Sequence, residues 1–314
     1  MSRAARQQVA CTVTREARGH VPGDGIELAF GYWPGRGLPV VGLHGLTASY
    51  VNFVGIAERL AGRCPLFAVD LRGRGDSDKP EGPYGIAQHA RDVAAAMRAL
   101  DLGPSVIVGH SMGAFISTAL AAQNPELVAG LIMIDGGYLL DMPVGVGAEQ
   151  VLDAMLAQRI TQLRETYTSR EAYREFWRGR PHFPPEDWGS WTEAFLNYEV
   201  DGEPPNLQPK ASEAAVRADV AESFQKAEIA ERLKSVRVPV LLLRATSGFT
   251  PDQPPLLPDL VLEQMRACLP GLEEETIPGT THYTIVLGER GASRVADLIE
   301  EFTRRCQPSG ACRA

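Results

Sequence analysis

The chain has 314 residues, with 31 basic against 39 acidic side chains and a formal charge of −8. Apolar residues make up 44% and charged residues 22%, which excludes a disordered polyelectrolyte and suits a globular protein. The acidic balance excludes the basic face that nucleic acid or an anionic membrane requires, and no run approaches the roughly 20 apolar residues of a membrane span.

Residues 1–20 read as a loose lead-in with a short strand at Cys11–Thr14. No apolar run follows the early arginines, so no secretory signal is expected. Asp24-Gly25 is a hairpin signal, and Ile26–Tyr32 follows it as a strand. Short apolar runs then recur at Leu38–Leu43, Leu66–Val69, Ser105–Val108, Leu131–Ile134 and Val238–Leu243. They are rich in Val, Ile and Leu and do not alternate with polar residues, as in strands buried on both faces of a parallel sheet. Helical stretches lie between them at Val51–Ala61, Gly85–Leu100 and Met112–Gln123. Alternation of this kind predicts an α/β fold, a mostly parallel sheet with helices on both faces.

From about Gly136 to Ser235 no buried-strand run appears. Helical patterns at Ala148–Thr166, Arg170–Arg178, Trp188–Tyr198 and Ser212–Leu233 are broken by loops such as Pro181-His182-Phe183-Pro184-Pro185. This block reads as a helical cap at 138–235, inserted into a core formed by 1–137 and 236–314. The charged faces around Arg159–Arg170 and Glu222–Lys234 read as solvated surface. After Val238 come a short strand at Glu274–Ile277, a Pro278-Gly279 turn and a final helix at Ala292–Arg304.

Five scattered cysteines (Cys11, Cys64, Cys268, Cys306, Cys312) lack any Cys-x-x-Cys pair. They argue against a disulfide framework or zinc site and for mostly free thiols in a reducing cytoplasm. Cys306 and Cys312 are near enough in sequence to pair, in a tail that reads as frayed.

The sharpest motif is Gly109-His110-Ser111-Met112-Gly113, directly after one strand and before one helix. A serine on such a turn stands clear of the sheet, and the small residues on either side let strand and helix approach. The helix N-terminus offers free N–H groups to a developing oxyanion. With this motif, Leu43-His44-Gly45-Leu46 and Asp70-Leu71-Arg72-Gly73-Arg74-Gly75-Asp76-Ser77, the chain resembles the α/β-hydrolase family over Ile26–Gly137 and Val238–Phe302.

The resemblance implies Ser111 as nucleophile and His282, in Thr280-Thr281-His282-Tyr283-Thr284, as base. It places His44 in the oxyanion loop and points His110 away from the reacting serine. The oxyanion donors it implies are the backbone N–H groups of Leu46 and Met112. The acid is less direct, because the loop after Leu243 holds no acidic residue before Asp252. Asp135, at the end of the strand after the nucleophile helix, is favoured, and Asp252 is the alternative.

The expected activity is hydrolysis of a small or medium apolar ester, lactone or thioester, without metal or organic cofactor. Alternatives are other chemistry of the fold (C–C hydrolysis, cofactor-free peroxidation, lyase chemistry) or a non-catalytic ligand-binding module. Epoxide and haloalkane hydrolysis are disfavoured, because those relatives need a carboxylate where Ser111 stands. Candidate pocket residues are His44, Phe115, Tyr138, Trp177, Trp188 and Tyr283. Oligomeric state is open.

Overall fold

The computed structural model describes residues 16–138, 156–157, 159–223 and 225–307. The strand expected at Cys11–Thr14, the opening of the helix expected at 148–166 and a Cys306–Cys312 pair therefore lie wholly or partly outside the described residues.

The fold opens on an antiparallel hairpin, β1 (Ala17–Pro22) and β2 (Glu27–Trp33), turning at Asp24-Gly25. β1 occupies part of the stretch read as lead-in. It is an edge strand whose exposure alternates, so it carries no continuous apolar run. There follow β3 (Val40–Leu43), helix α1 (Val54–Leu60), β4 (Leu66–Val69), α2 (Ile86–Ala99), β5 (Ser105–His110), α3 (Met112–Gln123) and β6 (Val128–Ile134).

The insert after β6 includes α4 (Arg170–Arg178), α5 (Ser190–Tyr198), a two-residue ribbon of β7 (Val200–Asp201) and β8 (Gln208–Pro209), α6 (Glu213–Ser223) and α7 (Lys226–Ser235). The chain returns through β9 (Val240–Ala245), α8 (Asp259–Cys268), β10 (Glu273–Ile277), the short α9 (Thr284–Leu287) and α10 (Glu289–Cys306).

The main sheet has the order β1-β2-β4-β3-β5-β6-β9-β10. Only the β1–β2 and β2–β4 pairings are antiparallel. Every residue of β3, β4 and β5 is buried. The period of two sorts their side chains between the faces. Val41, Leu43, Ile107 and Leu131 pack with α2, α3, α7 and α8, while Val40, Val106, Val108 and Ile132 pack with α1 and α10. Ile229 and Leu233 of α7 join the first cluster, so the end of the insert lies against the sheet.

Candidate active site

Ser111 lies between β5 and α3 in a backbone conformation that L residues rarely adopt, φ 55° and ψ −117°. Such a residue costs on the order of 1–3 kcal/mol and persists only when its surroundings enforce it. Here the enforcement is close packing. A Cβ at Gly113 would stand 2.0 Å from the Leu43 carbonyl oxygen, and one at Gly109 would stand 2.2 Å from the Gly113 oxygen. Only glycine fits either place, so the helix can start directly against the sheet. The Ser111 N–H donates to the Ile134 carbonyl at 2.9 Å, which ties the elbow to β6.

β6 delivers Asp135 to the same edge. Asp135 is also left-handed, with φ 45°, and is 2% exposed. Its N–H donates to the Leu243 carbonyl at 2.8 Å, and its Oδ1 accepts the Ala245 N–H at 3.2 Å. A Cβ at Gly136 would meet the Ser111 carbonyl oxygen at 2.3 Å, so that glycine lets the Asp135 loop pass under the elbow. The Asp135 Oδ2 lies 2.7 Å from His282 Nδ1. A carboxylate can only accept, so Nδ1 carries the proton and Nε2 is the basic nitrogen. Asp252 is exposed instead, and its Oδ1 accepts a bond from the Thr250 hydroxyl at 2.6 Å. The loop that holds it folds outward, which removes it as partner of His282.

His110 supports the other side of His282. Its Nε2 donates to the His282 carbonyl oxygen at 2.9 Å, and its Nδ1 accepts from the Asn52 amide at 3.2 Å. Burial, with His282 beside it, holds His110 well below the ordinary histidine range. It is a neutral pin with a fixed tautomer. The motif puts His110 next to the nucleophile, but nothing in the sequence pairs it with Asn52.

His44 is a second neutral pin. It is fully buried, and burial lowers its pKa to about 3. Its Nδ1 donates to the Gly45 carbonyl at 2.7 Å and its Nε2 accepts the Leu71 N–H at 2.9 Å. Both ring nitrogens are used, so His44 is not the pocket residue expected from sequence. In a planar trans peptide the N–H points opposite the C=O. Holding the Gly45 oxygen therefore aims the Leu46 N–H. Met112 opens α3, where the first N–H groups have no partner within the helix. The Leu46 and Met112 N–H groups thus lie on the two loops that meet at Ser111, where a Cβ at Gly45 would touch Ser111 Cβ at 3.1 Å.

An aromatic nest adjoins His282. Phe249 meets the imidazole edge-on with centroids 4.9 Å apart, and Tyr283 follows at 5.7 Å. Tyr283 in turn contacts His182 at 5.5 Å, Phe183 at 5.5 Å and Trp177 at 6.4 Å. Of the remaining pocket candidates, Phe115 and Tyr138 are buried in the cluster beside the sheet. Trp188 lies one layer out, donating to Glu193 Oε1 at 3.0 Å under the Arg178 guanidinium.

The nest also holds cations. Arg159 donates to the Tyr283 hydroxyl at 2.9 Å and stacks over Phe249. This corrects the expectation that Arg159 is solvated surface. Arg180 lies over Phe176, and its buried Nε has no hydrogen-bond partner among the described residues. The same holds for the buried Nδ1 of His182. Burial, then Arg159 and Arg180, lower His182 to about 4. Sequence reasoning missed Arg159, Arg180, His182 and Phe249 because nothing in their spacing links them to His282. Among the described residues no group of three or more His, Cys, Asp or Glu side chains is placed to hold a metal ion. No helix among them is long and apolar enough to cross a membrane.

The family model for the alpha/beta hydrolase fold matches residues 39–289. The chain is 31% identical to a 2-(acetamidomethylene)succinate hydrolase of Mesorhizobium japonicum, over 79% of this chain and 83% of that relative. It is 27% identical to an N-formylmaleamate deformylase of Pseudomonas putida, over 74% of this chain and 79% of that one. The crystal structure of an E-2-(acetamidomethylene)succinate hydrolase superposes with a TM-score of 0.77 at 26% identity, covering 92% of this chain and 100% of that one. With its eight-stranded sheet and the serine elbow at its edge, the chain belongs to the alpha/beta hydrolase family.

Proposed function

We propose that the protein is a serine hydrolase that removes an acyl group from nitrogen or carbon in a small substrate bearing carboxylates. The observation that carries the substrate class is the cationic side of the nest beside His282. Arg180 Nε and His182 Nδ1 there are buried without a hydrogen-bond partner among the described residues, and such atoms in a native site call for a ligand or water. The names of the relatives, a succinate-based substrate and a maleamate-based one, support the same class. This reading stands nearer to the sequence's alternative, other chemistry of the fold such as C–C hydrolysis, than to its ester reading. It also replaces the purely apolar acyl partner expected from the aromatic residues.

In this mechanism His282 Nε2 takes the Ser111 proton as Oγ attacks the acyl carbon. Asp135 fixes the tautomer and stabilises the imidazolium. The Leu46 and Met112 N–H groups hold the oxyanion, each worth about 3 kcal/mol by analogy with measured oxyanion donors. His282 returns the proton to the leaving atom, and water then releases the acyl group from Ser111. Residues 138–235 serve as a cap that brings Arg159, Arg180 and the aromatic wall over the serine.

The test compares N-formylmaleamate and 2-(acetamidomethylene)succinate with neutral p-nitrophenyl acetate. We expect turnover of at least one of these carboxylates, with Arg159→Met raising its KM about tenfold to a hundredfold, the worth of one charged hydrogen bond. KM for the neutral ester should stay within about twofold, since it has no carboxylate to lose. A variant that raises both KM values alike refutes the anionic assignment.

A further inference from the structure

The oxyanion loop is held from one side by His44. From the other it is held by a residue whose counter-ion comes from the insert. Arg74 is fully buried in the loop after β4. Its Nε donates to the Leu46 carbonyl oxygen at 2.9 Å, and its Nη1 donates to the Arg72 carbonyl at 3.0 Å. The same Nη1 lies 2.5 Å from Oδ2 of Asp219, on α6. Asp219 is its one carboxylate partner among the described residues. His89 Nε2 reaches the same Oδ2 at 2.9 Å, and the Gly85 N–H donates to Oδ1 at 2.8 Å.

We propose that Arg74 and Asp219 are positioning residues for catalysis: seating of α6 holds Arg74 against the Leu46 carbonyl and so keeps the Leu46 N–H aimed at the oxyanion. The inference rests on the reading of Leu46 as an oxyanion donor to Ser111 chemistry. Leu46 stands between two peptide planes. His44 fixes the plane before it and Arg74 the plane after it, so neither of its backbone dihedrals is free to drift. Without the Arg74 contact only one pin remains.

Arg74 cannot hold this post alone. A guanidinium buried without a counter-ion is strongly unfavourable, and here the counter-ion is supplied across the junction. The junction itself is tightly seated. The Ser212 N–H donates to the Gly73 carbonyl at 2.8 Å, and a Cβ at Gly73 would stand 2.6 Å from that of Ala215. Glu222 Oε2, one turn beyond Asp219, accepts the Ile86 N–H at 2.7 Å. Among the described residues Arg74 is thus the polar link from α6 to the oxyanion loop, beside the apolar packing of Leu46 on the cluster that holds Val216 and Val220, while the Ser212 and Glu222 bonds fasten the helix to the core.

The experiment uses Asp219→Asn, Arg74→Lys and, as a control for seating alone, Glu222→Gln. Lysine keeps a cation for Asp219 but has one donor centre, so it cannot also span to Leu46. Active sites are counted by titration with a fluorophosphonate, so misfolded protein is excluded from the rate. With p-nitrophenyl acetate, Asp219→Asn and Arg74→Lys should each lower kcat per titrated site about tenfold to a hundredfold, with KM unchanged within about twofold. Their affinity for phenylboronic acid, whose serine adduct places an oxygen in the oxyanion site, should fall by the same factor. Glu222→Gln should keep both values. If Asp219→Asn does not fold, Arg74→Lys tests the same link with the buried charge still paired. Wild-type kcat per titrated site in either folded variant, or an equal loss in Glu222→Gln, overturns the proposal. Wild-type protein that takes up no fluorophosphonate at Ser111 overturns the serine-hydrolase reading, and this inference with it.

Discussion

Replacing Asp135 by asparagine changes two atoms, and the structure shows which way the new amide must face. Asp135 Oδ1 accepts the Ala245 N–H and Oδ2 receives His282 Nδ1. If the asparagine oxygen faces His282, its NH2 group points at the Ala245 N–H, donor against donor in a buried place. That arrangement leaves two groups unpaired, at roughly 1–3 kcal/mol each. In the opposite orientation the oxygen keeps Ala245 and the NH2 donates to Nδ1. Every local bond is then satisfied, but the imidazole proton moves to Nε2. His282 can no longer accept from Ser111 Oγ. The favourable rotamer is thus the inactive one, and the carboxylate charge that would stabilise an imidazolium is lost as well. We expect kcat to fall by about 10² to 10⁴, with the larger figure being the cost of the same substitution in a serine-protease triad. KM should change little, since Asp135 is buried away from substrate. The assay is steady-state hydrolysis of p-nitrophenyl acetate and of whichever of the two carboxylate substrates is turned over, with folding checked by circular dichroism. A well-folded Asp135→Asn protein that retains more than about a tenth of wild-type kcat refutes the reasoning. So does an Asp252→Asn protein that loses as much.

Ser111→Ala should abolish fluorophosphonate labelling and lower turnover by several orders of magnitude while leaving Tm near wild type, because alanine is the smallest change at that strained position; retained turnover sinks the nucleophile assignment. Asn52→Leu, which removes the donor to His110, should lower kcat about tenfold with KM unchanged, as expected for loss of one buried bond to a positioning residue; an unchanged kcat removes His110 and Asn52 from the supporting framework. Burial pushes the Glu199 carboxyl up to about 8, from an ordinary value near 4.5. The folded state then binds the proton more tightly than the unfolded chain, so this group's stabilising contribution is complete below about pH 4.5 and is lost as pH rises through 8. Glu199→Gln should therefore flatten the decline of Tm between about pH 4.5 and 8. A shallower decline should persist between about pH 4 and 6, because burial also raises Asp70 to about 6. Parallel Tm–pH curves for the two proteins would count against it.

The frame of the molecule was legible because buried parallel strands advertise themselves. Leu66–Val69 is apolar throughout and is a strand with the bounds expected, and Arg170–Arg178 is a helix with the bounds expected. What escaped notice has a physical reason in each case. β1 is an edge strand facing solvent on alternate positions, so its sequence carries little apolar signal. Asp259–Cys268 follows a run of prolines that reads as loop, although Val261, Leu262 and Met265 keep helical spacing. The single helix expected over Ser212–Leu233 is two helices, α6 and α7, and only α7 packs with the sheet. Within the site, motifs carry Ser111 and His282 because chain connectivity alone places them on one edge. Arg159 and Arg180 carry no motif. Arginines on a cap surface usually lie in water, and only the tertiary position of the aromatic nest turns these two inward.

The two pinning histidines explain how a strained serine can work reliably beside a base that must gain and lose a proton. In the proposed mechanism His282 becomes an imidazolium during turnover, and any neighbour that titrated with it would shift the geometry at the moment it matters. His44 and His110 are prevented from doing so by burial, which favours their neutral forms. Each then has one donor and one acceptor nitrogen, and each uses both. His44 spans the Gly45 carbonyl and the Leu71 N–H, fixing the oxyanion side of Ser111. His110 spans the Asn52 amide and the His282 carbonyl, fixing the base side. A neutral imidazole is the side chain that offers a rigid donor and acceptor at opposite ends of one ring, and neither lysine nor a carboxylate could replace it. The sequence therefore uses the same residue type in two opposed ways, and burial with hydrogen-bond partners decides which histidines are frame and which is the base.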